Sequence, residues 1–412
     1  MPKTQTFKMK NYKFSVITSF FNRKDWVETQ YNLLKSQTYK NWEWIVTDDF
    51  SEEDKSAKLD LFRICDKDSR VKYFFQDYKK QVFYNPAVAC DGDIILQTDC
   101  DDLFATNLLE HYNYWFNKKP EVYLIHAGYK EVLNMSYDGD GLISKNMAFN
   151  RKKQFETTKW EAMTFGRAWR NVIPHFEHEG MKHFQNDTNI IRHLENVGKV
   201  FMVPRVMYKY NIQPNSISNQ ASDDTIKDSI EKERIKIENK FPNLDKKSEC
   251  TFDLEYMEPS FINYCRGLYN LDLHNMFVNP NPVGFIDSKA FTAYNQKIKE
   301  IYWDWDIRFN DLDPNINYES IVWNIHTEEI NNNPDSILKI RDKIYSQYPK
   351  TRLIVTCIST ETNAEELGRM LCNREFGVKK FEYFTMNDGE GKWRWMDKNL
   401  DSRRIIRIFT TY

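Results

Sequence analysis

Asp93-Ile94-Ile95-Leu96-Gln97-Thr98-Asp99-Cys100-Asp101-Asp102 is the stretch on which the reading of this chain turns. An apolar run with strand character ends abruptly in a cluster of carboxylates, Asp99, Asp101 and Asp102. At the end of a buried strand such groups repel one another and lose hydration, so the cluster is costly without a counter-ion. A divalent cation shared with a phosphorylated ligand resolves that cost, and an all-oxygen donor set suits Mg²⁺ or Mn²⁺. The plainer alternative is a helix start, with Asp102 as N-cap of Leu103-Phe104-Ala105.

Outward from this stretch, the first half of the chain alternates strand-like and helix-like patterns. Phe14 to Phe20 reads as a buried strand, and Trp26 to Ser36 carries apolar residues at helical spacing. Trp42 to Val46 is a second strand running into Asp48-Asp49. Leu59 to Ile64 suggests a helix and Val71 to Phe75 a third strand. Phe83 to Cys90 reads as helix, Leu103 to Phe116 as another, and Val122 to His126 as a further strand. This alternation predicts a parallel sheet covered by helices. Ligands of such sheets bind beyond the carboxyl ends of the strands, where Asp48-Asp49 and Asp99 to Asp102 both fall.

A chain of 412 residues suggests two domains. Hydrophobic residues at 41% and charged residues at 29% describe a globular protein without a membrane span, and no apolar run approaches the ~20 residues a span needs. A net charge of -2 gives no footprint for nucleic acid. The cysteines (65, 90, 100, 250, 265, 357, 372) form no C-x-x-C pair, which argues for a reducing compartment over a disulfide framework or zinc site. Lysines near the N-terminus precede no apolar segment of signal-peptide type, so the expected location is cytoplasmic.

The segment Ile212 to Asn219 is polar and contains Pro214, marking a break. A charged helix over Asp223 to Asn239 follows it. The expected domains are therefore 1–220, a helical linker over 221–249, and a smaller α/β domain over 250–412. In the latter, Ser320 to Ile325 and Arg352 to Cys357 read as buried strands separated by a helix over Ser336 to Gln347. A helix over Ala364 to Cys372 follows, and Phe381 to Phe384 and Arg404 to Phe409 complete a sheet.

Several landmarks then line up. Residues 14 to about 218 resemble family 2 glycosyltransferases, whose GT-A domain transfers a sugar from a nucleotide-sugar with inversion. Val16 to Arg23 resembles the family's opening strand, and Gln37-Thr38-Tyr39-Lys40-Asn41-Trp42-Glu43 its Q-T-Y-x-N-x-E. Thr47-Asp48-Asp49-Phe50-Ser51 is similar to V-D-D-G-S, with Phe50 in place of glycine. Asn85 to Asp93 resembles the helix before the fourth strand, and Asp99-Cys100-Asp101-Asp102 matches D-x-D-D.

The resemblance implies roles. Asp48, with Asp49, would accept a hydrogen bond from a pyrimidine ring N–H. Asp99 would contact the ribose, and Asp101, with Asp99, would hold the Mn²⁺ or Mg²⁺ that bridges the diphosphate. Asp187 would be the base that deprotonates the acceptor hydroxyl; N-cap of its own helix is the competing reading. Trp169, Arg170 and Glu177 would lie on the acceptor side. The partners implied are a nucleotide-sugar donor, with a uridine diphosphate sugar favoured, and a glycan, lipid-linked or protein acceptor. An oligomer is compatible with all of this.

Two departures matter. Asn186 replaces the usual Glu before Asp187. The family's Y-R-x-H-x-x-S becomes Tyr210-Asn211-Ile212-Gln213-Pro214-Asn215-Ser216, so Gln213 stands where a histidine can add a metal ligand. His175, His178 or His183 could compensate, although no cysteine or regular helical pair supports zinc there. A non-catalytic nucleotide- or glycan-binding protein with the same fold therefore stays open. So does a bifunctional chain, because the late strands of 250–412 resemble in pattern the end of a methyltransferase-like sheet. No glycine-rich loop for S-adenosylmethionine follows a strand there, and acceptor binding, oligomerisation or support of the transferase are the expected roles.

Overall fold

A computed structural model describes residues 9–20, 23–48, 55–75, 89–133, 135, 142–148, 166–171 and 199–213, then 268, 271–272, 276–277, 282–287, 292–325, 333–349, 351–359, 367, 370–371, 382–385 and 405–410. The chain divides into two compact units, Met1–Asp253 and Leu254–Tyr412. The expected linker over 221–249, the helix over Asp223 to Asn239 and most of the helix expected over Phe83 to Cys90 lie outside the described residues.

In the first unit the described elements are β1 (Phe14–Phe20), α1 (Val27–Ser36), β2 (Trp42–Asp48), α2 (Lys55–Lys67), β3 (Val71–Phe75), β4 (Ile94–Asp99), β5 (Leu103–Phe104), α3 (Leu108–Lys118), β6 (Val122–Leu133), β7 (Leu142–Ala148), β8 (Arg167–Arg170) and β9 (Lys199–Ile212). They build one mixed sheet in the order β3-β2-β1-β4-β8-β6-β9-β5, with β7 on β6. The parallel half is β3-β2-β1-β4. β1, β2 and β4 are buried along nearly their whole length, as continuous apolar runs covered on both faces require. Helix α1 buries Val27, Gln30, Leu33 and Leu34, a stripe at helical spacing. The chain moves outward from β1 through β2 to β3, then returns to place β4 on the other side of β1. That reversal sets the ligand crevice at the carboxyl ends of β1 and β4.

The expected helix over Leu103 to Phe116 is corrected at its start. Leu103 and Phe104 form β5, paired with Lys209 and Tyr208 of β9. The helix begins only at Leu108, after Asn107. Two apolar residues behind an aspartate look alike as a strand fragment or a first helical turn, and the distant partner decides between them.

The second unit contains β10 (Val283–Asp287), α4 (Asn295–Ile301), β11 (Ile307–Phe309), β12 (Ser320–Ile325), α5 (Pro334–Gln347), β13 (Arg352–Ser359), β14 (Glu382–Thr385) and β15 (Ile405–Thr410). Its sheet order is β11-β10-β12-β13-β15-β14. The first four are parallel, and β15 runs antiparallel between β13 and β14. Asn333 caps α5 by accepting from the Ser336 N–H, with Pro334 in the first turn. Ile337, Ile344 and Tyr345 bury one face of α5 in a cluster with Ile321, Trp323, Leu353 and Val355. The α/β class, with one sheet in each of two units, is the one expected.

Candidate active site at the carboxyl edge of the first sheet

Register fixes where the acids fall. Ser19 pairs with Thr47 on one side and Asp99 on the other, and Phe20 pairs with Asp48. With strands ~4.8 Å apart, the Asp48 and Asp99 backbones flank the end of β1 at a separation of roughly 10 Å. Ser19 and Phe20 face opposite ways, so the two carboxylates leave the rim on opposite faces of the sheet. A polar ladder supports this rim from within the core. The Trp44 indole N–H donates to Thr18 Oγ1 at 2.9 Å, and the Thr18 and Thr98 hydroxyls bond at 2.8 Å. The Ser19 and Thr47 hydroxyls bond at 3.0 Å.

Asp48 is buried at 1% exposure and accepts a hydrogen bond from the Tyr73 hydroxyl at 3.3 Å. Burial and the Asp48 charge both hold the Tyr73 phenol in its neutral form, well above its ordinary pKa. The rim therefore keeps a carboxylate paired with a phenol donor at the end of β2.

Past β4 the chain makes a tight turn, closed by the Asp102 N–H on the Asp99 carbonyl at 3.4 Å. The carboxylates in it have different fates. Asp101 faces Arg23, whose Nε approaches Oδ2 at 3.4 Å, with the side chains 17% and 27% exposed. Burial raises the Asp101 pKa and the guanidinium opposes that shift. A positive charge is thus already favoured beside Asp101. Asp102 points inward at 0% exposure and its Oδ1 accepts from the Asn211 N–H at 2.8 Å. The Tyr208 side chain also bonds this carboxyl, and the Gln30 amide donates to the Asp102 carbonyl. Burial first, then the charges of Asp99 and Asp101, push the Asp102 carboxyl well above the usual range.

Asp102 is therefore no helix cap. Its Oδ1 serves β9, and α3 starts downstream of β5. That corrects the N-cap reading and also separates Asp102 from the turn's outward acids, Asp99 and Asp101.

The donor set can be tested against a cation. Among the described residues no group of three or more His, Cys, Asp or Glu side chains forms a metal cage. Asp99 and Asp101 offer two hard oxygen donors on one turn, which suits Mg²⁺ or Mn²⁺ that keeps waters and shares phosphate oxygens. The set does not suit zinc, which takes nitrogen and sulfur ligands in a closed tetrahedron. Gln213 follows the end of β9, two residues beyond the Asn211 N–H that bonds Asp102.

Trp169 and Arg170, expected on the acceptor side, are corrected by their register. On β8 they pair with Ile95 and Ile94, at the opposite end of β4 from Asp99. Trp169 is 1% exposed. Arg170 donates to the carbonyls of Val122, Phe116 and Pro120, tying α3 to β6. Both residues hold the sheet together away from the crevice. Asp49, Glu177, Asp187 and the histidines 175, 178 and 183 lie outside the described residues.

The Gln37 to Glu43 motif is scaffold, and its first residues hold the segment between β5 and α3. Gln37 donates to the Ala105 carbonyl at 2.9 Å and accepts from the Leu109 N–H at 3.3 Å. The Thr38 N–H adds a bond to the Thr106 carbonyl at 2.8 Å. Glu43 sits at the other end of the strands, with Lys13, Ser15, Lys72 and the Asp91 N–H around its carboxylate. Two site residues escaped the sequence reading: Tyr208, inside a strand that was not recognised, and Arg23, quoted only as part of a motif. The apolar and aromatic run through Val206-Met207-Tyr208-Lys209-Tyr210 is the signal that could have revealed the strand.

Residues 15–169 match the family model described as Glycosyl transferase family 2, and the first unit of this chain carries a glycosyl transferase family 2 domain. An uncharacterized glycosyltransferase of Rickettsia bellii (strain RML369-C) is 37% identical over 109 residues, covering 25% of this chain and 15% of that protein. WfgD of Escherichia coli, a UDP-Glc:alpha-D-GlcNAc-diphosphoundecaprenol beta-1,3-glucosyltransferase, is 27% identical over 146 residues, covering 35% of this chain and 56% of that protein. This chain thus spans only a minor part of the Rickettsia relative and just over half of WfgD. Among solved structures, S. aureus TarS 1-349 in complex with UDP is similar over 64% of this chain and 86% of that chain, at 14% identity and a TM-score of 0.37. The mannosyltransferase PcManGT of Pyrobaculum calidifontis, in complex with GDP-Man and Mn2+, is similar over 47% of this chain and 56% of that chain, at 13% identity and a TM-score of 0.35. No helix among the described residues is long and apolar enough to cross a membrane.

Proposed function

We propose that the first unit transfers a sugar from a nucleotide-sugar to a hydroxyl acceptor, with inversion and with help from Mn²⁺ or Mg²⁺. One observation carries the reading. Within the matched family segment, Asp99 and Asp101 leave a braced turn at the sheet's reversal point, and Asp101 already has a cationic neighbour in Arg23. A uridine diphosphate sugar is the favoured donor, which the UDP-Glc in WfgD's description supports. The acceptor class is a glycan, a lipid-linked glycan or a protein.

In this reading Asp48, with Asp49, accepts from the pyrimidine N–H, and Asp99 orients the ribose. Asp101, with Asp99, holds the cation. When bound, that cation supplies Lewis-acid stabilisation of the departing diphosphate. Asp187 takes the acceptor's proton as the acceptor oxygen bonds the anomeric carbon and the diphosphate leaves with its electron pair. The second unit supports the transferase or contacts acceptor.

The test is a donor-hydrolysis screen across common nucleotide-sugars, following released nucleoside diphosphate with Mn²⁺, Mg²⁺ or EDTA. Wild type should turn over at least one uridine donor in a metal-dependent way, and Asp101→Ala should not. Asp187→Ala should lose transfer to an acceptor. Donor binding with no turnover under any condition would favour the non-catalytic binding protein instead.

A further inference from the structure

The turn that carries Asp99 and Asp101 needs a rigid support, because a misplaced carboxylate loses its share of a cation's coordination shell. That support comes from β9, 109 residues away in sequence, through Tyr208. The Asp99 N–H donates to the Tyr208 Oη at 3.2 Å. Tyr208 is 0% exposed, and its ring stacks on Phe104 at 6.3 Å between centroids. Gly166, at φ +67, also lies against a flank of the ring, where an added Cβ would come within 2.7 Å of Cδ2. The Tyr112 hydroxyl bonds the Gly166 carbonyl at 2.6 Å, so this flank is itself fixed. A ring packed against Phe104 and Gly166 carries its hydroxyl at a fixed point, and that point is the first backbone amide of the turn.

We propose that Tyr208 is a positioning residue for the donor site: its hydroxyl sets the Asp99–Asp102 turn in the shape that presents Asp99 and Asp101 to a divalent cation and a nucleoside diphosphate. Tyr208 touches neither ligand and acts only through the turn. This rests on the reading of the crevice as a metal-dependent nucleotide-sugar site. It gives β9 a role beyond the Gln213 position, since Tyr208 and the Asn211 N–H brace the turn from that strand.

The experiment uses the full chain as wild type, Tyr208→Phe and Asp101→Ala. Mn²⁺ binding is followed by the loss of its free-ion EPR signal, with and without UDP. Tyr208→Phe keeps the ring packing and removes only the hydroxyl. It should unfold as cooperatively as wild type, bind Mn²⁺ in the presence of UDP roughly 10-fold more weakly, and raise the KM for Mn²⁺ by a similar factor. Its kcat at saturating Mn²⁺ should stay within about 3-fold of wild type, a split that general loss of fold would not produce. Should the variant fail to fold, NMR amide exchange of wild type decides. The Asp99 N–H must be among the protected amides, and exchange as fast as an open turn overturns the proposal. Wild-type affinity in Tyr208→Phe, with binding lost in Asp101→Ala, overturns this inference and leaves the donor site standing. No UDP-dependent Mn²⁺ binding by wild type overturns both.

Discussion

The carboxyl edges of the two sheets are built alike and charged differently. In each, parallel strands reverse their order beside the first strand, β1 in one unit and β10 in the other. The first edge crowds Asp99, Asp101 and Asp102 into one turn and buries much of their charge. Among the described residues of the second edge, Asp287 and Asn324 join neighbouring strands. Asn324 donates its amide to Asp287 Oδ1 at 2.7 Å, and the Asp287 N–H donates to Asn310 Oδ1 at 2.9 Å. Asn310 itself sits at φ 61, a conformation asparagine tolerates better than most residues. A carboxylate that accepts from an amide on the next strand stabilises a junction between strands. Several carboxylates on a buried turn store repulsion that a cation can relieve. A shared sheet layout therefore does not imply shared chemistry, and the residues on the strand ends decide it.

The largest effect that would break this contrast lies at the first edge. Asp101→Ala should lower metal-dependent turnover by on the order of 100-fold or more, as loss of a group stabilising transition-state charge does. The matching change at the second edge, Asp287→Asn, should leave donor turnover within about 2-fold. Steady-state kinetics on both variants tests the pair, and equal losses would end the comparison.

A second effect concerns stability and pH, and belongs to the amino ends of the same strands. Burial alone would raise the Glu43 pKa, but bonds from Ser15, Lys13, the Asp91 N–H and Lys72 outweigh it and hold the group at about 2. Because the folded value lies below the ordinary value of 4.5, the stabilisation is fully present above pH 4.5 and is lost as pH falls toward 2. Glu43→Gln should cost about 3 kcal/mol near neutral pH and flatten the acid limb of the unfolding curve, read by denaturant titration at several pH values.

Smaller again, Asp287→Ala should cost about 1 kcal/mol, the net worth of a partly buried hydrogen bond, with the donor site untouched. Thermal unfolding would show it. S-adenosylmethionine should show no saturable binding to the full chain by calorimetry, because Ser288-Lys289-Ala290-Phe291 after β10 offers no glycine-rich loop. Tight binding would assign the second edge its own ligand and sharpen the comparison in the opposite direction.

Much of the parallel half of the first sheet was legible, because β1, β2, β3 and β4 are apolar runs long enough to declare themselves. Their ends placed Asp48, Asp99 and Asp101 on one rim. The antiparallel half was not. β8 is four residues long, and its Trp169 and Arg170 look like acceptor-binding groups until register puts them at the far end of β4. β9 mixes Lys, Arg and Tyr with apolar residues and contains Pro204, so its partner β6 defines it more than its own composition does. Tyr208 was invisible for the same reason: its role exists only once β9 lies beside β5. In the second unit β10 carries Gly284 after Pro282, and its flanking partners β11 and β12 define this short run as a strand. Local pattern reveals elements that bury themselves along their own length. Long-range pairing supplies the rest.

Under the proposed function the first edge, and not the second, gathers a cation with a nucleoside diphosphate. Anomalous diffraction from crystals of the full chain grown with Mn²⁺ and UDP tests it directly. The expected result is a Mn²⁺ peak about 2.1 Å from an Asp101 carboxylate oxygen, shared with the diphosphate. A Mn²⁺ peak at Asp287 with none at Asp101, or UDP bound away from the β1–β4 crevice, would contradict it.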